Sequence, residues 1–134
     1  MNYRKIIPGL ILWSGLLALS AQTPVLQIDN REIYGTRQRP PVRFTHLQHM
    51  MRGTACLQCH HDYREGRNVL QEKDLTAGNP ALRCPRCHGK TNGPGRRYAL
   101  REAYHLQCLG CHSKTSREGK KPGPRSCAGC HPLK

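Results

Sequence analysis

The sequence Cys56-Leu57-Gln58-Cys59-His60 recurs three more times with different spacers, as Cys84-Pro85-Arg86-Cys87-His88, Cys108-Leu109-Gly110-Cys111-His112 and Cys127-Ala128-Gly129-Cys130-His131. The four units use all 8 cysteines, so none is left over. A repeat this regular fixes the class of a chain before its secondary structure is considered. Histidine occupies 8 of 134 positions, and chance would place it after all four cysteine pairs about once in 10^5 sequences.

C-x-x-C-H is the attachment signature of c-type haem. The spacing follows from the chemistry. Two thiols add across the two vinyl groups of the porphyrin, and the next residue, on the same short helical turn, ligates the iron through an imidazole nitrogen. The expected cofactors are four covalently attached haem c groups, held by Cys56 and Cys59, Cys84 and Cys87, Cys108 and Cys111, and Cys127 and Cys130. His60, His88, His112 and His131 are the proximal ligands. Two other readings of the cysteines exist. Disulfides in a small secreted domain account for the count but not for the histidines. Tetrahedral zinc sites account for both, and the basic charge would then point to nucleic acid.

The N-terminus bears on that choice. Arg4 and Lys5 precede an uncharged apolar stretch, Ile6 to Ala21, and Ala18-Leu19-Ser20 places small residues before a cut at Ala21. This is the layout of a secretory signal peptide over residues 1–21, or of a membrane anchor if it is not cleaved. The stretch is shorter than the roughly 18 to 20 residues that span a bilayer. Either way the remainder is expected to be exported to the periplasm, where haem is attached to c-type cytochromes. That weighs against zinc and nucleic acid.

Residues 22–134 suffice for one domain. They carry the chain's one Phe and none of its Trp, with scattered Leu, Val, Ala and Ile. Such a chain buries little core of its own. Four macrocycles would supply one. The 13 Gly and 10 Pro suit a chain that wraps them with much irregular structure. The fold class expected is a multihaem cytochrome c: small, mainly α with much loop and a short N-terminal β element, wrapped around four haems. Residues 22–41 form an extended N-terminal segment and 42–134 the tetrahaem domain.

Local signals are modest. Short strands are expected at Val25–Ile28, Glu32–Tyr34 and Val42–Phe44. Thr45 is placed to cap a short helix carrying His46 and His49 that Gly53 would end. Asp62 to Arg83 reads as a long loop with one helical turn near Leu70, and Gly89 to Arg96 as a Gly/Pro-rich loop. Arg97 to His112 is the best helix. Ser113 to Ser126 reads as basic loop.

Four histidines remain: His46, His49, His61 and His105. Four haems need four sixth ligands, and the count matches. His46 and His49 share a helix face but cannot serve one haem from the same side, so they should reach two neighbouring haems. His60 and His61 diverge, so His61 should ligate a different haem from His60. His105 and His112 lie about 10.5 Å apart along one helix. Met50 and Met51 read as packing residues.

Phe44-Thr45-His46, then His49, then Cys56 to His61, resembles the class III tetrahaem cytochromes c of anaerobic bacteria. "AYHLQCLGCH" at residues 103–112 is similar to the third-haem region of those proteins and of larger multihaem chains built from the same module. The resemblance covers roughly residues 42–134. Many members have four residues between the cysteines at the second and fourth sites, where this chain has two throughout. The resemblance implies His46 as sixth ligand of the Cys56/Cys59 haem and His49 as that of the Cys108/Cys111 haem. It likewise implies His61 for the Cys84/Cys87 haem and His105 for the Cys127/Cys130 haem.

Irons ligated by histidine on both faces leave no position for a substrate, which argues for electron transfer rather than catalysis and for low potentials. The family implies a periplasmic carrier between a hydrogenase or formate dehydrogenase and a membrane-bound respiratory complex. One alternative is a membrane-anchored tetrahaem subunit that oxidises quinol, with membrane contact only if the N-terminal segment is retained. Another is a multihaem reductase with one open haem. The chain has 22 basic and 8 acidic residues, so an acidic redox partner is expected. Lys114, Arg117, Lys120, Lys121 and Arg125, beside the fourth motif, are the expected docking patch.

Overall fold

A computed structural model of the protein describes residues 24–95 and 97–133. The apolar stretch read as a signal segment lies outside them. In chain order come β1 (Leu26–Ile28), α1 (Arg31–Tyr34), β2 (Val42–Phe44), α2 (His46–Met51) and α3 (Cys56–Cys59). A hairpin of β3 (Tyr63–Arg64) and β4 (Arg67–Asn68) follows, then 3-10 turns at Glu72–Asp74, Pro80–Leu82 and Cys84–Arg86. The long helix α4 (Leu100–Arg117) and the short α5 (Cys127–Cys130) complete the set.

β1 and β2 pair antiparallel with Leu26 opposite Phe44 and Ile28 opposite Val42. Alternate strand residues share a face, so the apolar pairs fall on one side and Gln27 and Arg43 on the other. The strand expected at Glu32–Tyr34 is instead the single turn α1. The Asn30 carbonyl accepts the amides of Ile33 (3.0 Å) and Tyr34 (3.2 Å), and Gly35, at φ 76°, closes the turn. Asp29, which accepts from Arg31 at 3.1 Å and from Arg37, pins this bend at both ends. Strand propensity at Ile33 and Tyr34 yields to these polar anchors.

α2 forms where expected, after Thr45 and before Gly53 at φ 76°. Thr45 does not cap through its own oxygen; its hydroxyl donates to the Gln48 side chain at 2.9 Å. The loop expected over Asp62–Arg83 contains the β3–β4 hairpin. Its two-residue turn, Glu65-Gly66, has φ 49° and 78°, the mirror-image turn that twists with its strands. Leu70 is buried just ahead of the Glu72–Asp74 turn.

α4 begins three residues later than expected and continues through Arg117. Its first amides have tertiary acceptors. The Gly89 carbonyl takes the Leu100 N–H (2.8 Å), the Asn92 side chain that of Ala99 (2.7 Å), and the Tyr34 hydroxyl that of Arg101 (3.0 Å). At the other end Gly119, at φ 70°, donates to Ser116 (3.1 Å) and Lys120 donates to Thr115 (3.1 Å). That crossed pair is a Schellman stop, built on a glycine because the left-handed position strains a side chain.

Among the described residues only Leu70, Ala99 and Leu100 are buried apolar side chains. Leu47, Met50, Tyr98 and Leu106 stand exposed. No helix among the described residues is long and apolar enough to cross a membrane.

Candidate cofactor sites

Each cysteine pair sits on a helical turn that its histidine closes. The His60 N–H reaches the Cys56 carbonyl at 2.9 Å, His88 that of Cys84 at 3.0 Å and His131 that of Cys127 at 2.7 Å. The third unit lies within α4. Positions i, i+3 and i+4 of such a turn share a face, so two thiols and an imidazole project together. Local contacts hold the turns. Gln58 accepts the Ala55 N–H (3.2 Å), and Ser126 caps α5 by accepting that of Gly129 (3.2 Å). The Gln107 side chain donates to the Gln58 carbonyl at 2.6 Å and ties α3 to α4.

All eight cysteines are free and none is bridged to another. The zinc reading needs three or four donors converging on one point, and among the described residues no such group forms. Burial pushes the Cys108 thiol up to about 11, and it raises those of Cys59 and Cys130 as well.

The four proximal imidazoles share one device. His60 Nδ1 meets the Leu82 carbonyl at 3.2 Å, His88 Nδ1 that of Tyr98 at 2.8 Å, His112 Nδ1 that of Pro124 at 2.7 Å and His131 Nδ1 that of Pro40 at 2.7 Å. A carbonyl at Nδ1 fixes the proton there, leaves Nε2 with a free lone pair and makes the ring a better donor to a metal. Sequence reasoning missed all four acceptors, because a backbone carbonyl carries no residue signature.

The remaining histidines approach these rings in pairs. His46 and His60 have centroids 6.1 Å apart, His61 and His88 6.0 Å, and His49 and His112 6.2 Å. A ring nitrogen sits about 2 Å from a bound metal and about 1 Å from its ring's centre, so two imidazoles on opposite faces of one iron have centroids about 6 Å apart. Phe44 supports two of the incoming rings, at 6.0 Å from His46 and 4.6 Å from His49. Thr45 accepts from His49 Nδ1 at 3.0 Å. His61 lies beside Tyr63 and is half-buried, and burial lowers its pKa, with His88 and His60 adding to the effect. Among the described residues His105 and His131 form no such ring pair; His105 is exposed on α4.

The donor set thus fits haem c: paired thiols, imidazoles with free Nε2 atoms, and apolar side chains left uncovered beside them. Residues 24–131 match the model of the class III cytochrome c family. The chain belongs to that family. The match takes in residues 24–41, which the resemblance noted in the sequence left outside. Members of the family carry covalently bound haem c, and the fold is that of a class III multihaem cytochrome.

Among solved structures, its fold is similar to high-molecular-weight cytochrome c from Desulfovibrio vulgaris (Miyazaki F), crystallised in the presence of zinc ion. The TM-score is 0.52 at 24% identity, over 90% of this chain and 22% of that one. This cytochrome therefore spans about a fifth of that chain's length. No curated protein sequence matches it.

The basic segment of this class III cytochrome is partly neutralised. Glu118 pairs with Lys120 at 2.9 Å and Lys114 at 3.9 Å, and these lysines, Lys120 foremost, hold its carboxyl below the usual range. Among the described residues no acidic partner pairs with Arg117, Lys121 or Arg125.

Proposed function

We propose that this class III cytochrome binds four haem c groups, each ligated by histidine on both faces, and works as a low-potential periplasmic electron carrier. In this reading His46 pairs with His60, His61 with His88, His49 with His112 and His105 with His131. The observation that carries it is the approach of three histidine pairs to 6.0–6.2 Å, each joining a motif histidine to a distant one. Bound haem supplies one-electron transfer. The chain's own residues would attach it, the cysteine pairs through thioethers and the paired histidines as its ligands, and would keep substrates away from the iron, which is what a carrier needs and a catalyst does not. The carrier would pass electrons between a periplasmic hydrogenase or dehydrogenase and a membrane respiratory complex, meeting acidic partners through Arg117, Lys121 and Arg125.

One observation favours a second reading. His105 and His131 are not ring-paired, which suits a protein with one open haem at the Cys127/Cys130 motif and a reductase activity. Intact mass and spin state decide. The carrier reading expects a mass gain of four haem units and no high-spin ferric iron. A gain of fewer units refutes the stoichiometry. A high-spin signal from about a quarter of the iron supports the open-haem reading instead.

A further inference from the structure

The three ring pairs differ in one respect. His46 and His60 are inclined at 68° and His61 and His88 at 88°, but His49 and His112 at 20°. The first two are close to crossed; the third is close to parallel. Both rings of the third pair are held from outside. His49 Nδ1 bonds the Thr45 carbonyl and its ring lies against Phe44. His112 Nδ1 bonds the Pro124 carbonyl, and its ring lies flat on Gly123. A methyl built on Gly123 would stand 2.3 Å from His112 Cε1, 2.6 Å from Nε2 and 2.8 Å from Nδ1. Those distances are far inside contact, so glycine is required at 123 by the imidazole rather than by backbone conformation.

We infer that Gly123 and the Pro124 carbonyl form a positioning clamp that sets the plane of His112, and that this clamp makes the Cys108/Cys111 haem electronically distinct from its neighbours. The physical reason lies in the imidazole's filled π orbital, which stands perpendicular to the ring. Two coplanar rings donate into the same iron orbital and split it from its partner. Two crossed rings donate into different orbitals and leave them nearly degenerate. Coplanar donation also favours the ferric form, and the two Nδ1–carbonyl bonds add to this by making both rings more basic. The Cys108/Cys111 haem is then the last of the three ring-paired haems to be reduced.

The inference rests on the proposed axial pairing, and the test separates the two. Electron paramagnetic resonance of the oxidised holoprotein should show one rhombic low-spin species beside strongly anisotropic low-spin ones. Gly123→Ala should turn the rhombic species anisotropic without creating high-spin iron, leaving the other signals in place. In a titration with a one-electron reductant its reduction constant should rise about tenfold, about 59 mV. His49→Ala should abolish the same rhombic species and yield high-spin iron. A wild-type spectrum without a rhombic species overturns the inference by itself, even if Gly123→Ala fails to load haem. A rhombic signal unchanged in Gly123→Ala also overturns it. A rhombic signal that survives in His49→Ala, with high-spin iron appearing elsewhere, overturns the pairing beneath it.

Discussion

His60 and His61 are neighbours in sequence, yet their rings approach different partners, His46 and His88. Replacing His61 by Ala therefore tests whether one dipeptide serves two haems. The Cys84/Cys87 haem should keep both thioethers and His88, so the intact mass should fall only by the side-chain difference. It should lose its sixth ligand and become high-spin, which is about a quarter of the iron in a four-haem protein. After reduction about one carbon monoxide should bind per protein, where the wild type binds none. His46→Ala should give the same signature at the Cys56/Cys59 haem. Because the two ring pairs share no ligand, the double variant should show about half of the iron high-spin, the additive outcome for independent sites. If the double variant shows no more high-spin iron than either single one, His46 and His61 serve the same haem and the cross-pairing is wrong.

Tyr34→Phe removes the acceptor for the Arg101 N–H at the start of α4. It should cost about 1 kcal/mol in a thermal or denaturant melt of the holoprotein, with the haem spectrum unchanged. Gly119→Ala forces a side chain into the left-handed position that ends α4, for a similar cost of about 1 kcal/mol. Bimolecular electron transfer with an acidic partner should slow steeply with salt, and reversing Arg117 and Lys121 to Glu should slow it more than reversing Arg64 and Arg67; equal effects would move the docking site elsewhere. The side-chain bond from Arg37, assisted by Arg31, lowers the Asp29 pKa. Its contribution to stability is therefore present above the ordinary carboxylate pKa and lost as pH falls through the depressed value. Asp29→Asn should therefore lower the melting temperature at neutral pH and flatten the acid limb of the profile, the two proteins converging at low pH.

The gathering of each cysteine pair and its histidine on one turn could be read from the sequence, because the spacing dictates it: cysteines three apart and a histidine next. The histidines that approach across space were also legible, since neighbours such as His60 and His61 must diverge. What holds the rings was not legible. The Leu82 and Pro124 carbonyls belong to segments that read as loop, that of Pro40 to the extended N-terminal segment and that of Tyr98 to the start of the expected helix, and any residue offers a carbonyl. Helix α4 runs past its expected end at His112 to the stop built on Gly119. Its place just after Lys114 and Arg117 was the available stop signal. The turn at Arg31–Tyr34 defeated strand propensity because two arginines and one aspartate fix the bend, and local propensity does not count such partners.

The four histidine–carbonyl bonds also differ in the distance along the chain that they span. His60 finds its acceptor 22 residues further on, His88 10 and His112 12, but His131 reaches back 91 residues to Pro40. Short closures cost little chain entropy and form early, whereas a closure of this length comes last. As the polypeptide lengthens from its N-terminus, the first three motif histidines meet their acceptors within 22 residues of their own position. The fourth instead fastens the tail to the head. It is the clasp of the molecule: damage near Pro40 should be felt first at the opposite end of the sequence.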